Sequence, residues 1–230
     1  MPFTYQEAVP WGRSFDEYCR MFRLTTADLS RRILGCADGP ANFNAQMCRN
    51  GHRIISCDPL YQCTSAQIEQ RIDATYETVI GQTRHNQDKF VWDQITSPDE
   101  LGRVRLAAMH DFLSDYDQGK RDGRYVAAQL PALPFVAASF ELAVCSHLLF
   151  FYADTLSLSF HHQAIDELCR VAYEVRIFPL LTYNAEPCSF VDSVTARLTQ
   201  TGHRVSIEPV PYEFQRGGNK MLRVSRNTGG

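Results

Sequence analysis

Hydrophobic and polar positions follow one another along the chain in an order that predicts an α/β sheet. Short apolar runs at 31–35, 52–58, 124–128, 139–146 and 174–181 predict five strands. Segments with apolar residues three and four apart fall between most of these runs, which is typical of parallel strands joined by helices. Two further runs, 204–214 and 220–226, flank the glycine-containing stretch 215–219 and predict an antiparallel hairpin.

Two helical regions fall outside this alternation. Residues 1–30 predict an N-terminal helical cap whose helix occupies 14–30, with Ser14-x-x-Glu17 as a capping box and a second start at Thr25. Residues 64–122 predict a helical insertion between strands 2 and 3 that begins at Thr64 and restarts at Ser97. Its apolar stripes are Ile68, Ile72, Tyr76 and Val79, then Leu101, Val104, Ala108 and Phe112. Packing on one sheet face and a substrate lid account for the insertion equally well.

Composition indicates one domain over 1–230 that handles a small substrate. The 230 residues are 44% hydrophobic, enough for one ordinary core, and the net charge of −3 provides no attraction to phosphate backbones. We therefore expect no nucleic-acid partner. Nor does any stretch reach the roughly 20 apolar residues of a membrane span. Oligomeric state is not indicated by any of these features.

The eight cysteines favour a cytoplasmic protein without a structural metal. None forms a C-x-x-C pair, which disfavours zinc, and the first 20 residues contain no apolar core of a secretion signal. We expect the cysteines to be small buried hydrophobes in a reducing cytosol.

The stretch 31–61 predicts a binding site for a nucleoside-bearing cofactor. Gly35 and Gly39 follow strand 1, and Asp58, at the end of strand 2, lies 19 residues beyond Gly39. Such glycines allow close approach of a ligand, and such an acid can accept both hydroxyls of a ribose. NAD is one candidate, but its G-x-G-x-x-G fingerprint is absent. Asp38 in the turn is unfavourable beside a pyrophosphate and compatible with a cationic ligand.

On these residues the chain resembles the class I (Rossmann-like) S-adenosylmethionine-dependent methyltransferases. Gly35, Ala37 and Gly39 match the family's G-x-G-x-G, with alanine at the central position, and Asp58 matches its ribose-binding acid. The run 130–152 and the terminal hairpin also resemble the family. Two departures are Ile33, where the family often has an acid, and Gln129, where an aspartate commonly meets the adenine amino group.

The resemblance implies a doubly wound, mostly parallel sheet and S-adenosyl-L-methionine as cofactor, with no metal. It implies these cofactor-binding residues: Gly35, Cys36, Ala37, Asp38, Gly39, Asp58, Pro59, Gln129, Leu130 and Ser146. His147, directly after strand 4, is the candidate catalytic base, because imidazole takes up a proton near neutral pH. A structural histidine and a cofactor-lining histidine are the alternatives for this position.

The expected activity is in-line methyl transfer to an O, N or C atom of a small-molecule acceptor. Methylation of RNA or protein, and a non-catalytic S-adenosylmethionine-binding module, are the alternatives. Aromatic residues 150–152 are candidates to shape the acceptor pocket, with core packing expected for at least one of them. Residues that we expect either to close over the site or to pack elsewhere are Trp11, Arg13, Tyr18 and Trp92.

Overall fold

A computed structural model describes residues 9–226, so residues 1–8 of the predicted cap and 227–230 lie outside the described chain. Seven strands form one sheet: β1 (Ile33–Cys36), β2 (Ile54–Cys57), β3 (Tyr125–Val126), β4 (Phe140–Ser146), β5 (Ala172–Phe178), β6 (His203–Pro209) and β7 (Lys220–Arg226). The strand order is β3-β2-β1-β4-β5-β7-β6. The first five strands are parallel, and β7 is antiparallel to both β5 and β6. The predicted sheet with its terminal hairpin is confirmed.

Seven α-helices pack around this sheet in the described chain: α1 (Phe15–Met21), α2 (Thr26–Leu29), α3 (Phe43–Arg49), α4 (Ser65–His85), α5 (Pro98–Arg121), α6 (Leu158–Val171) and α7 (Val191–Gln200). Capping boxes at Ser14, Thr25 and Thr64 start α1, α2 and α4, as their sequences predict. Helices α4 and α5 are the predicted insertion between β2 and β3.

Helices cover both faces of the sheet, as a doubly wound fold requires. On one face Leu34 and Ala143 pack with apolar residues of α6 and α7. On the other face Ile33 and Leu142 pack with Tyr18, from α1, and with residues of α3. A third cluster joins α4, α5 and the start of β3. The sheet is therefore buried on both of its faces.

The structure corrects several predicted boundaries. Strand β3 is two residues long, and β6 ends at Pro209 instead of 214. Arg23, whose φ of 47° is left-handed, separates α1 from α2, and α2 begins at the predicted second start after Thr25. In α5 the buried stripe contains Arg105, whereas Val104 is half-buried, because the helix turns its arginine inward.

Candidate active site at the carboxyl ends of the strands

A cavity of about 590 Å³ opens at the carboxyl ends of the parallel strands. Every site residue that the sequence predicts lines it, except Gly35. The rest of the wall comes from the segment before α1, from α4 and α5, and from the loop between β6 and β7. The predicted insertion thus covers the cavity, while its role as a moving lid stays a prediction.

The turn after β1 is tight and partly left-handed. Ala37 and Gly39 have φ values of 58° and 52°, and the Ala37 N–H donates to Cys57 O at 2.9 Å. An alanine in this conformation costs about 1 kcal/mol, so the chain forms the turn without the central glycine of the motif. Gly35 lies beneath the turn, where a Cβ would overlap the Asp38 carboxylate. Gly35 therefore makes room for that carboxylate.

Asp38 belongs to the cavity wall, but protein groups already bind its carboxylate. The Tyr18 hydroxyl donates to Oδ1 at 3.0 Å, and the Ser56 hydroxyl donates to Oδ2 at 2.6 Å. Burial, with a smaller contribution from nearby Asp58, raises the pKa of Asp38 to about 7 against these two hydrogen bonds. Asp38 therefore changes charge near neutral pH.

Asp58 and Pro59 follow β2 on the same side of the cavity. The Gly39 N–H donates to Asp58 Oδ2 at 2.9 Å, and the Leu60 N–H donates to Oδ1 at 2.8 Å. Burial raises the pKa of Asp58, while the two backbone donors lower it. The hydrogen bond from Gly39 joins the glycine turn to the predicted ribose acid.

Gln129 and Leu130 lie after β3 and line the cavity next to this region. Leu130 is buried, whereas Gln129 is exposed. Within residues 9–226 the Gln129 side-chain amide makes no hydrogen bond, so both its oxygen and its nitrogen can meet a ligand.

His147 occupies a constrained position where β4 ends. Its φ of 50° is left-handed, and its backbone N–H donates to the backbone carbonyl of Phe178 at 2.7 Å. Left-handed non-glycine residues are concentrated at functional sites. Burial lowers the pKa of His147 well below its usual value, and the charges of Arg13 and Arg105 lower it further. The imidazole is therefore neutral at physiological pH.

A polar chain of side chains runs from His147 to Asp38. Ser146 Oγ lies 2.9 Å from His147 Nδ1, and Ser146 is close enough to Tyr18 to act on the pKa of its hydroxyl. Tyr18 in turn donates to Asp38. In the tautomer whose Nδ1–H donates to Ser146 Oγ, Nε2 is free to accept a proton.

The sequence prediction missed a buried charged cluster in the same wall. Arg105 of α5 pairs with Glu17 of α1, and the Tyr212 hydroxyl donates to Glu17 Oε1 at 2.9 Å. Burial alone would raise the pKa of Glu17, but Arg105 outweighs burial and lowers it to about 2. Arg13 lies next to this cluster. The helical stripe of α5 counted only apolar residues, so it contained no signal for Arg105.

Aromatic side chains complete the cavity. Phe151 and Tyr152 line it, whereas Phe150 is fully buried in the core, as expected for at least one residue of this run. Trp11, Arg13 and Tyr18 also line it. Trp92 does not line it and packs instead against Phe90 and Phe214. Of the four residues that the sequence offered for closing the site, three lie in the wall.

Residues 9–226 contain no group of three or more His, Cys, Asp or Glu side chains arranged to hold a metal ion. Across the same residues, no helix is long and apolar enough to cross a membrane.

The strand order, the antiparallel β7 and the glycine turn after β1 define the Rossmann-like fold of class I methyltransferases. The chain is 32% identical over 225 residues to the uncharacterized protein MJ0045 of Methanocaldococcus jannaschii, an alignment that covers 96% of this chain and 97% of that protein. The chain therefore belongs to the family of MJ0045. No family model matches the chain.

Solved structures with similar folds include magnesium protoporphyrin IX methyltransferase from Synechocystis PCC 6803 with bound S-adenosylmethionine. Its TM-score is 0.44 at 10% identity, over 87% of this chain and 73% of that one. PH1948 from Pyrococcus horikoshii, described as a candidate RNA methyltransferase, has a TM-score of 0.42 at 9% identity, over 88% and 78% of the two chains. A methyltransferase from Aquifex aeolicus has a TM-score of 0.39 at 12% identity, over 85% and 80%.

Proposed function

We propose that the protein is an S-adenosylmethionine-dependent methyltransferase that acts on a small-molecule acceptor. One arrangement carries the proposal: a single cavity has the Asp58 carboxylate and glycine turn in one part of its wall and His147 in another. The first part suits a nucleoside, and the second suits a group that loses a proton as it is methylated.

The cavity side chains fit the cofactor. Each Asp58 oxygen accepts one backbone N–H and has a lone pair left for a ribose hydroxyl. The Gln129 amide oxygen, without a protein partner in the described chain, can accept from the adenine amino group. Ala37 and Gly39 would then lie against the methionine portion, as the resemblance implies.

S-adenosylmethionine, when bound, supplies an electrophilic methyl group. The protein positions the acceptor and, where the acceptor atom holds a proton, removes it at His147 Nε2. Ser146 and Tyr18 link the resulting imidazolium to Asp38, which stabilises the added positive charge when it is ionised. An acceptor atom with a free lone pair and no proton needs only the positioning.

A small acceptor suits the enclosure and the charge. The cavity is covered by α4 and α5, and the net charge of −3 gives no general attraction to RNA. We place the enzyme in the cytosol, where its eight free cysteines stay reduced.

Calorimetry tests the cofactor. We expect the wild-type protein to bind S-adenosylmethionine with micromolar Kd and to prefer it to NADH. Asp58→Ala should weaken binding at least tenfold, because both ribose hydroxyls lose their acceptor. Asp73→Ala, on the exposed face of α4, should bind as the wild type does. A wild-type protein that prefers NADH, or binds neither, contradicts the proposal.

Turnover distinguishes an enzyme from a binding module. Small acceptors are screened by the release of S-adenosylhomocysteine, and the best acceptor is then tested with His147→Gln. We expect kcat to fall by about 10²–10⁴-fold with the Kd of S-adenosylmethionine unchanged, as for the loss of a general base. Cofactor binding without turnover of any acceptor would favour the non-catalytic module.

A further inference from the structure

The wall between α1 and α5 contains more positive than negative charge. Arg13 and Arg105 lie here with one carboxylate, that of Glu17. Glu17 is fully engaged, since it pairs with Arg105 and accepts from Tyr212 and from the Ser14 N–H. This leaves one positive charge uncompensated in this part of the wall.

Within residues 9–226, Arg13 has no carboxylate bound to its guanidinium. Its Nη1 donates to the Trp11 carbonyl at 3.3 Å, and no carboxylate of residues 9–226 lies within 4 Å of its guanidinium. The buried Nε atoms of Arg13 and Arg105 have no hydrogen-bond partner in the described chain. Burial lowers the pKa of Arg13, and the charge of Arg105 lowers it further. Buried cations left in this state are unfavourable unless a ligand compensates them.

The uncompensated charge lies towards the acceptor part of the cavity. The charge of Arg13 acts on His147 and on Tyr152, both of which follow β4. It also acts on Tyr18, which donates to Asp38. An anion held by Arg13 would therefore lie beside the candidate base.

We propose that the methyl acceptor is a small carboxylate, bound through its carboxylate group by Arg13 with Arg105 beside it. This inference rests on the proposed function. Two arginines and one glutamate leave a single positive charge, which a monoanion neutralises and a phosphate dianion exceeds. The planar guanidinium of Arg13 offers paired donors that match the two carboxylate oxygens. Aromatic side chains at the same end of the cavity suit an apolar body, namely Phe151, Tyr152, Tyr183 and Phe214.

The same carboxylate would prepare His147 for its role. Burial lowers the pKa of the His147 imidazole and the charges of Arg13 and Arg105 lower it further, so a bound anion that offsets those charges raises that pKa again. His147 then becomes a stronger base only when an acceptor of the correct charge is present.

Calorimetry on protein saturated with S-adenosylhomocysteine tests the carboxylate. The probes are benzoate, phenylacetate and hexanoate, each compared with its neutral amide of the same shape. We expect at least one carboxylate to bind and to exceed its amide at least tenfold. Arg13→Met should remove that preference, and Arg13→Lys should retain part of it. Arg103→Met, on the exposed face of α5, should have no effect.

Two further measurements separate binding from a structural role. Because Arg13 has no acidic partner in the part of the chain that the structure describes, Arg13→Met should keep or raise the Tm, whereas a structural arginine would lower it. The Kd of S-adenosylmethionine should change less than twofold in Arg13→Met. An equal loss of cofactor affinity would mean that Arg13 binds the cofactor's own carboxylate, which overturns the inference and leaves the methyltransferase intact.

The remaining outcomes are equally decisive. Amides that bind as well as the acids, or three carboxylates that all fail to bind at 5 mM, overturn the inference as well. A wild-type protein that does not bind S-adenosylmethionine overturns the proposed function itself, which the cofactor titration shows independently of the acids.

Discussion

The buried ion pair between Glu17 and Arg105 should contribute several kcal/mol to the free energy of unfolding. The two side chains are 3% and 1% exposed, so solvent hardly screens their attraction. Lowering the pKa of Glu17 from 4.5 to about 2 corresponds to about 3 kcal/mol. Because the folded pKa lies below the unfolded value, this stability is present above about pH 4.5 and is lost as the pH falls towards 2.

Glu17→Gln isolates the charge, since glutamine has the same size and can still accept from Tyr212. It leaves Arg105 buried without its carboxylate, so we expect a loss of about 3–5 kcal/mol at pH 7. For a domain of this size, that loss corresponds to a fall in Tm of about 6–20 °C. The double variant Glu17→Gln, Arg105→Met should recover part of the loss, because no lone charge remains.

Urea unfolding followed by circular dichroism measures these changes. The matched control is Glu141→Gln, which removes one partner of an exposed pair with Arg32, whose side chains are 45% and 52% exposed. That change should cost about 0–1 kcal/mol. Equal losses in Glu17→Gln and Glu141→Gln would refute the idea that burial makes the Glu17 pair strong. So would a loss that is as large at pH 2 as at pH 7.

Two further predictions concern the glycine turn. The folded pKa of Asp38 is about 7, above its ordinary 3.8, so the free energy of unfolding should fall by about 4 kcal/mol as the pH rises from 4 to 7 or above. Asp38→Asn should flatten this dependence. Urea unfolding at pH 5 and 8 measures it, and an equal change in the free energy of unfolding for the wild type and Asp38→Asn would contradict the prediction. Gly35→Ala should destabilise the protein by more than 2 kcal/mol, since the added Cβ overlaps the Asp38 carboxylate. Gly81→Ala in α4, with no atom near its Cβ, should stabilise it by about 1 kcal/mol. The Tm values of the two variants in thermal melts should therefore move in opposite directions.

Local patterns predict most of the fold because they act within one element. The capping box at Ser14 depends on neighbouring residues only, and it is present in the structure. Strand β3 is shorter than predicted because only Tyr125 and Val126 pair with β2. As the edge strand, β3 is only as long as its pairing with β2, and the local run of apolar residues does not show how far that pairing extends.

In the candidate site too, local patterns predict some residues and miss those that only the tertiary fold brings together. Glycine and aspartate at fixed spacing predict the glycine turn, and the hydrogen bond from Gly39 to Asp58 brings the two together. Glu17 and Arg105 are 88 positions apart, and no local pattern connects them. From the sequence, Arg105 is only a charged residue next to Val104 in the predicted helix. Its burial depends on how α5 is rotated against α1, which the spacing of residues does not show.

Glu17, Arg105 and Tyr212 come from the beginning, the middle and the end of the chain, and they meet at one buried point. During synthesis from the N-terminus, α1 and the parallel strands emerge from the ribosome well before the hairpin that carries Tyr212. The cavity wall therefore closes only after nearly the whole chain has been made. A nascent chain that stops before β6 would contain the five parallel strands but lack Tyr212 and the part of the cavity wall that follows β6, so the site forms only once that segment has been made.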